Sequence, residues 1–229
     1  MKFGIFAERE KTMLYNLYVV NGYPLAEISG GLYMLDTGCP MTGADGKVKK
    51  LMINDEPVIP YTLDDSMIKQ LELAVGTHVS GILGFDTIAR FGGVLCDKVS
   101  ETVTFRCGMP VQGRVEVPLS NGLHFIIKVN GKYATAFLDT GAPLMMVDRH
   151  DLLDKSRYTG KVKEPSLSGV LDLEAYEGEA EFGGVKTELT MLKSSKEIMR
   201  DGSDVYFSPD AFAKEFYMID IKGRRIVLK

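Results

Sequence analysis

Tryptophan is absent from this 229-residue chain, and cysteine and histidine occur only three times each. Cys39, Cys96 and Cys107 form no Cys-x-x-Cys pair, and their odd number argues against a disulfide framework. The histidines are scattered, so the His-x-x-x-His pairing of a helical zinc site is missing. We therefore expect no metal or other cofactor, and a reducing, cytoplasmic location.

Long hydrophobic segments and an excess of positive charge are also lacking. No apolar run approaches the roughly 18 residues of a membrane-spanning helix. The apolar patch at 3–7 is followed at once by charged residues, which is not the pattern of a secretory signal. The formal net charge is −4, without clusters of Lys and Arg. We expect neither a membrane nor a nucleic acid as a partner.

Three common catalytic motifs are missing from the sequence. There is no phosphate-binding Gly-x-x-x-x-Gly-Lys-Ser/Thr loop, no dinucleotide-binding Gly-x-Gly-x-x-Gly, and no Gly-x-Ser-x-Gly nucleophile elbow. Enzyme classes that depend on these loops are therefore not indicated.

What is present is an internal repeat. Residues 33–40 read Tyr-Met-Leu-Asp-Thr-Gly-Cys-Pro, and residues 136–143 read Ala-Phe-Leu-Asp-Thr-Gly-Ala-Pro. At average residue frequencies, one Asp-Thr-Gly is expected about once in several thousand positions. Two copies with matching flanks, close to half a chain length apart, indicate two similar halves.

A second pair of segments follows the first. Gly81-Ile82-Leu83-Gly84 precedes the apolar segment 94–97, and Val205-Tyr206-Phe207-Ser208-Pro209 precedes the apolar segment 218–220. The spacing between the two motifs is about 20 residues longer in the second half. The sequence thus predicts a repeated unit with an insertion in its second copy.

The hydrophobic pattern is mostly that of β-strands. Residues 123–129 and 135–138 flank an Asn130-Gly131 turn, which predicts a hairpin leading into the second Asp-Thr-Gly. Short helices are predicted at 63–73 and 210–216. We predict an all-β protein with minor helix, divided into an N-terminal lobe (1–112) and a C-terminal lobe (113–229).

The repeated tripeptide is suited to acid–base chemistry. The apolar residues before it predict a buried strand, so that Asp36 and Asp139 emerge at strand ends. If the two copies pack face to face, the two carboxyl groups meet and share one proton. The ionised member can then take a proton from a water molecule that attacks a peptide carbonyl, while the protonated member assists the carbonyl oxygen.

These motifs resemble those of the retropepsin/pepsin family of aspartic proteases, in a single chain with two retropepsin-like lobes. The match is closest at Leu138-Asp139-Thr140-Gly141-Ala142, and Gly81–Gly84 is similar to the family's downstream apolar-apolar-Gly segment. The resemblance implies a two-lobed acid-protease fold with pseudo-two-fold symmetry, a monomeric peptide hydrolase, and Asp36 and Asp139 as its dyad. It also implies loop-supporting roles, assigned to Thr37, Gly38, Thr140 and Gly141.

The sequence departs from the family pattern at Cys39, which stands where Ala or Ser is usual and is interpreted as a small buried side chain rather than a reactive thiol. It also departs in two further places. Ser208 replaces the glycine expected in the second apolar-apolar-Gly segment, and neither the Asp45-Gly46 turn nor the Asn54-Asp55 turn identifies a substrate-covering hairpin. A catalytically weak or inactive protein of the same fold, binding peptides or polypeptides without cutting them, is therefore the alternative to a peptidase.

Overall fold

The computed structural model describes residues 13–106, 112–113, 115–120, 122–166, 169–194 and 202–229. The strands of the first half are β1 (Tyr15–Val20), β2 (Tyr23–Ile28), β3 (Gly31–Leu35), β4 (Gly43–Asp45), β5 (Leu51–Ile53), β6 (Glu56–Val58), β7 (Tyr61–Leu63), β8 (Gly81–Leu83), β9 (Gly93–Asp97) and β10 (Thr102–Phe105). Those of the second half are β11 (Val115–Pro118), β12 (His124–Val129), β13 (Lys132–Leu138), β14 (Met145–Val147), β15 (Arg157–Ser166), β16 (Gly169–Phe182), β17 (Val185–Lys193), β18 (Val205–Phe207), β19 (Phe216–Asp220) and β20 (Arg225–Leu228). The α-helices are α1 (Asp65–Val75) and α2 (Phe85–Arg90), and 3-10 turns occupy His150–Leu153 and Pro209–Ala211. The prediction of an all-β protein with minor helix is confirmed.

The two halves share one strand order around the repeated motif. In the first half the order is β2-β3-β8-β4-β7, and in the second it is β12-β13-β18-β14-β17. In both halves, the strand that ends at Asp-Thr-Gly pairs in parallel with the strand formed by the second repeated segment. β3 pairs with β8, and β13 pairs with β18. The repeated sequence therefore occupies the same topological position in each half.

A shared sheet joins the halves. Its order begins β11-β20-β19-β9-β10-β1, so the strands of the second half run outward from β19 as those of the first run outward from β9. β9 and β19 pair antiparallel, with Leu95 opposite Met218 near the centre. This arrangement is that of a pseudo-two-fold axis passing between β9 and β19. The division at residue 112 stays a prediction, and Cys107 lies outside the described residues.

The helices differ in part from their predicted positions. α1 begins after Asp64, whose side chain accepts hydrogen bonds from the backbone N–H groups of Ser66 and Met67, and it ends at left-handed Gly76. The helix predicted at 210–216 is wrong. A single 3-10 turn forms at Pro209–Ala211, and β19 begins at Phe216. α2 was not predicted, since six residues are too few to show a helical period.

The core of the protein is built from the inward faces of these strands. Without tryptophan, its largest buried side chains are tyrosines, phenylalanines and aliphatic residues. Phe125 packs edge-on against Phe182 and Phe207 beneath the second motif, with ring centroids 5.2 and 5.0 Å away. A smaller cluster beneath α1 includes Leu71, Val75 and Ile82. Both Asp-Thr-Gly turns are thus supported from below by close-packed apolar side chains.

Candidate active site

Each repeated aspartate lies at the end of a buried strand. The backbone N–H of Asp36 donates to the carbonyl of Leu83 (3.0 Å), and that of Asp139 donates to the carbonyl of Phe207 (2.9 Å). These equivalent bonds tie each turn to the parallel strand beside it. The two aspartates therefore follow equivalent strand ends in two separate sheets.

The two turns approach so closely that neither could carry a larger residue than glycine. A Cβ atom on Gly38 would lie 2.6 Å from Oδ1 of Asp139, and one on Gly141 would be as close to the carboxyl group of Asp36. The carboxyl group of each half thus lies against the backbone of the other half's turn. The structure brings together all six of the residues predicted for the site.

Two buried threonines join the turns by reciprocal hydrogen bonds. The hydroxyl of Thr37 donates to the carbonyl of Leu138 (2.8 Å) and accepts from the backbone N–H of Thr140 (3.0 Å). The hydroxyl of Thr140 donates to the carbonyl of Leu35 (2.8 Å) and accepts from the backbone N–H of Thr37 (3.0 Å). Because both threonines are almost fully buried, these bonds are shielded from water and hold the aspartates at a set separation.

The carboxyl groups of Asp36 and Asp139 lie against each other's turns, close enough for each to affect the pKa of the other. Burial and then the neighbouring charge of Asp36 raise the pKa of Asp139 well above its ordinary value. Burial also raises the pKa of Asp36, opposed by the hydrogen bond that the backbone N–H of Cys39 donates to it at 2.9 Å. The pair therefore holds one proton at a pH where separate surface carboxyls have lost theirs.

A cavity of about 160 Å³ opens over the dyad. Most of its wall is apolar, and Gln70, Leu71 and Ala74 of α1 contribute to one side of it. Leu171, from the long hairpin formed by β15 and β16, also lines it. The dyad thus lies at the base of a largely apolar cleft lined by residues of both halves.

The β15–β16 hairpin covers this cleft from the second half. It accounts for much of the extra length predicted there, because its first-half counterpart is the short β5–β6 hairpin around Asn54-Asp55. The Glu164 carboxylate accepts a hydrogen bond from the Tyr23 hydroxyl, at 3.0 Å, and so joins the hairpin to the first half. Neither Tyr23 nor Glu164 was predicted to be a site residue. The available signal for Glu164 was an acidic residue at an inward-facing position of an alternating strand.

The support beneath the two turns differs between the halves. After β8, Gly84 is pressed against the 39–42 segment, so that a Cβ atom there would lie 2.6 Å from the carbonyl oxygen of Met41. After β18, the equivalent residue is Ser208, which is fully buried and whose hydroxyl has no hydrogen-bond partner among the described residues. The second half has therefore left room for a side chain where the first half has none.

This difference predicts opposite outcomes for alanine at the two positions. Gly84→Ala is expected to lower the free energy of unfolding by about 1–3 kcal/mol, because the backbone around Met41 must move. Ser208→Ala is expected to raise it by about 1 kcal/mol, because an unpaired buried hydroxyl is removed. Urea denaturation measures both. Equal losses in the two variants would contradict the structural difference between the halves.

Cys39, next to the first motif, behaves as a small packing residue. Its Sγ lies 3.2 Å from the carbonyl oxygen of Met41, and burial raises the pKa of the thiol to about 11. The thiol is therefore uncharged near neutral pH, which favours the packing interpretation over a reactive one.

The described residues offer neither a cluster of metal ligands nor a membrane-spanning helix. No group of three or more His, Cys, Asp or Glu side chains there could hold a metal ion. Among the described helices, none combines the length and apolar character needed to cross a bilayer.

Comparisons with known proteins give only distant matches. No family model and no curated protein matches the chain. The solved protease of simian foamy virus (mac) is 19% identical over 38% of this chain and 89% of its own, with a TM-score of 0.31. Foamy viral protease–reverse transcriptase with an RNA/DNA hybrid, and its dRH form with double-stranded DNA, match 42% and 39% of this chain at 18% and 20% identity and TM-scores of 0.31 and 0.32. This chain spans only 11% and 14% of those two proteins, and similarity so partial carries no argument about its activity.

Proposed function

We propose that the protein is an aspartic peptidase that hydrolyses peptide bonds with a water molecule held between Asp36 and Asp139. The observation that carries this proposal is the pairing of the two carboxyl groups across interlocked turns, at the base of a cleft. The proposal rests on this geometry together with the resemblance of the motifs to those of aspartic proteases.

The proposed reaction needs one proton on the pair. The ionised carboxylate removes a proton from water, and the resulting hydroxide attacks the scissile carbonyl carbon. The protonated carboxyl gives its proton to the carbonyl oxygen, forming a neutral tetrahedral diol. Proton transfer to the amide nitrogen then allows the C–N bond to break, which releases an amine and a carboxylic acid and restores the singly protonated pair.

The substrate is proposed to be an extended peptide or unfolded polypeptide. Because the Tyr23–Glu164 hydrogen bond closes the cleft, a chain can lie across the dyad only after the β15–β16 hairpin lifts. We further propose that the protein acts as a monomer, since both motifs lie in one chain, and that it acts in the cytoplasm, since its three cysteines form no disulfide framework.

The pH profile of peptide hydrolysis tests the proposal. Activity is expected to rise as the first carboxyl ionises and to fall as the second does, giving a bell-shaped curve. Because burial and the Asp36 charge raise the pKa of Asp139, the falling limb should lie well above the ordinary aspartate pKa of about 3.9. Digestion of an unfolded protein from about pH 3 to 8, followed by mass spectrometry, measures this curve.

The second candidate function is a peptide-binding module without catalysis. The unpaired Ser208 beneath the second turn and the closed cleft favour it. Peptide binding without any cleavage product across the whole pH range would support this alternative and contradict the peptidase.

A further inference from the structure

Glu164 is an acidic residue at a position where the strand pattern calls for an apolar one. Along β15, Lys161 and Lys163 are exposed, whereas Val162 and Glu164 are partly buried on the other face. Glu164 lies opposite Leu171 in the hairpin register, and both line the cavity over the dyad. The Glu164 side chain therefore points into the cleft rather than into solvent.

The carboxylate of Glu164 has no cationic partner in the described part of the chain. The hydrogen bond that it accepts there comes from the neutral hydroxyl of Tyr23, at 3.0 Å. The desolvation of a carboxylate is costly unless a positive charge compensates it, and burial accordingly raises the pKa of Glu164. A positively charged ligand group would supply the missing compensation.

The cavity that holds Glu164 also holds the dyad, so both would contact the same ligand. Burial and the charge of Glu164 are the main causes of the raised pKa of Tyr23, and the charges of Asp139 and Asp36 add to it, since all four residues line the same cavity. The ionisable side chains of the described lining are acidic apart from Tyr23 itself, and no Lys, Arg or His is among them. The remaining wall is largely apolar, which suits the methylene stem of a long cationic side chain.

We propose that Glu164 is a specificity-determining residue, which makes the cleft prefer peptides with a cationic group beside the bond placed over the dyad. This inference rests on the proposed function, because the dyad defines where that bond lies. An ammonium or guanidinium group is a hydrogen-bond donor only, so it cannot accept a hydrogen bond from Tyr23. It would donate instead to the Glu164 carboxylate, forming a charge-assisted pair. A peptide with an acidic group at this position would meet three carboxyl groups and be rejected.

The cationic group has two sources, a Lys or Arg side chain and the free α-ammonium of a peptide. Three short peptides of otherwise identical sequence distinguish them. The first has a blocked N-terminus and an internal lysine, the second has a free N-terminus and methionine in place of that lysine, and the third is blocked and carries the methionine. Methionine is unbranched and uncharged and is one atom shorter than lysine. Each peptide is prepared as a series in which the distance between the substituted position and the cleaved bond is varied.

The values of kcat/KM for these peptides are compared in the parent protein, in Glu164→Gln and in Asp172→Asn. Asp172 is exposed on the same hairpin, so its variant removes one negative charge without altering the cleft. We expect at least one cationic peptide to be preferred over the neutral one by about tenfold or more in the parent and in Asp172→Asn. In Glu164→Gln the ratio is expected to fall to about one.

Two outcomes would overturn the proposal. The first is equal kcat/KM for the three peptides in the parent protein, a comparison that does not depend on the folding of any variant. The second is an unchanged preference in Glu164→Gln. Dissociation constants for the same peptides separate this inference from the proposed function. If no peptide is cleaved but the cationic ones bind about tenfold more tightly through Glu164, the peptidase proposal fails and the charge preference stands. If peptides are cleaved without regard to charge, the charge preference fails and the peptidase proposal stands.

Discussion

Replacing either Asp36 or Asp139 with asparagine is expected to lower kcat/KM for peptide hydrolysis by about 10³-fold or more. Asparagine has nearly the same shape as aspartate but cannot exchange a proton with water or with the substrate carbonyl. Because the two carboxyl groups act on one water molecule, the double variant should be little slower than either single variant. Initial rates on one peptide substrate, with the pH held at the parent optimum, measure the loss.

The asparagine variants should not lose their activity by unfolding. Burial raises the pKa of Asp139 in the folded protein above its value in the unfolded chain, so this group favours folding at low pH. That contribution is lost as the pH rises through the raised pKa. Asp139→Asn removes this pH dependence and should leave stability at neutral pH equal or higher. A variant that cleaves peptides as fast as the parent would refute the mechanism.

Replacing Thr37 or Thr140 with valine is expected to lower the free energy of unfolding by about 2–4 kcal/mol. Valine has the same shape as threonine, so the change leaves no cavity. It does leave a buried carbonyl and a buried N–H unpaired, since each hydroxyl donates to one backbone group and accepts from another. Denaturant unfolding measures the loss for each variant.

Serine at the same positions provides the matched control. Thr37→Ser and Thr140→Ser keep the hydroxyl and remove only a methyl group, so each should cost about 1 kcal/mol. The two valine substitutions share one network, and their combined effect should differ from the sum of the separate effects. If the valine variants lose no more stability than the serine variants, the hydrogen bonds between the turns contribute no more than one buried methyl group.

The repeated tripeptide and its flanks could be recognised in the sequence because both depend on local chemistry. Strand-forming residues precede each Asp-Thr-Gly, and the glycine is needed where the opposite carboxyl group leaves no space for a Cβ atom. The hairpin around Asn130-Gly131 was predicted for the same reason, since both residues have the positive φ angles that this turn requires. Its first-half counterpart, Ser29-Gly30, has the same angles but carries a weaker turn signal.

The cover over the cleft could not be placed from the sequence. Its strands alternate like any half-exposed hairpin, and nothing local says which face meets the other half of the molecule. That α1 from the first half and the β15–β16 hairpin from the second half line the same cavity depends on how the two halves pack. The Tyr23–Glu164 pair is the clearest example, because its members are 141 residues apart.

The sequence alone determined the all-β class, the repeat and the identity of the two aspartates, because these follow from strand periodicity, turn chemistry and the improbability of a matched pair of motifs. Only the tertiary structure decided that the two carboxyl groups come together, that the β15–β16 hairpin lies over them and that a third acid enters their cavity. Those properties depend on desolvation and on contacts between distant segments. Neither quantity exists until the two halves have packed together.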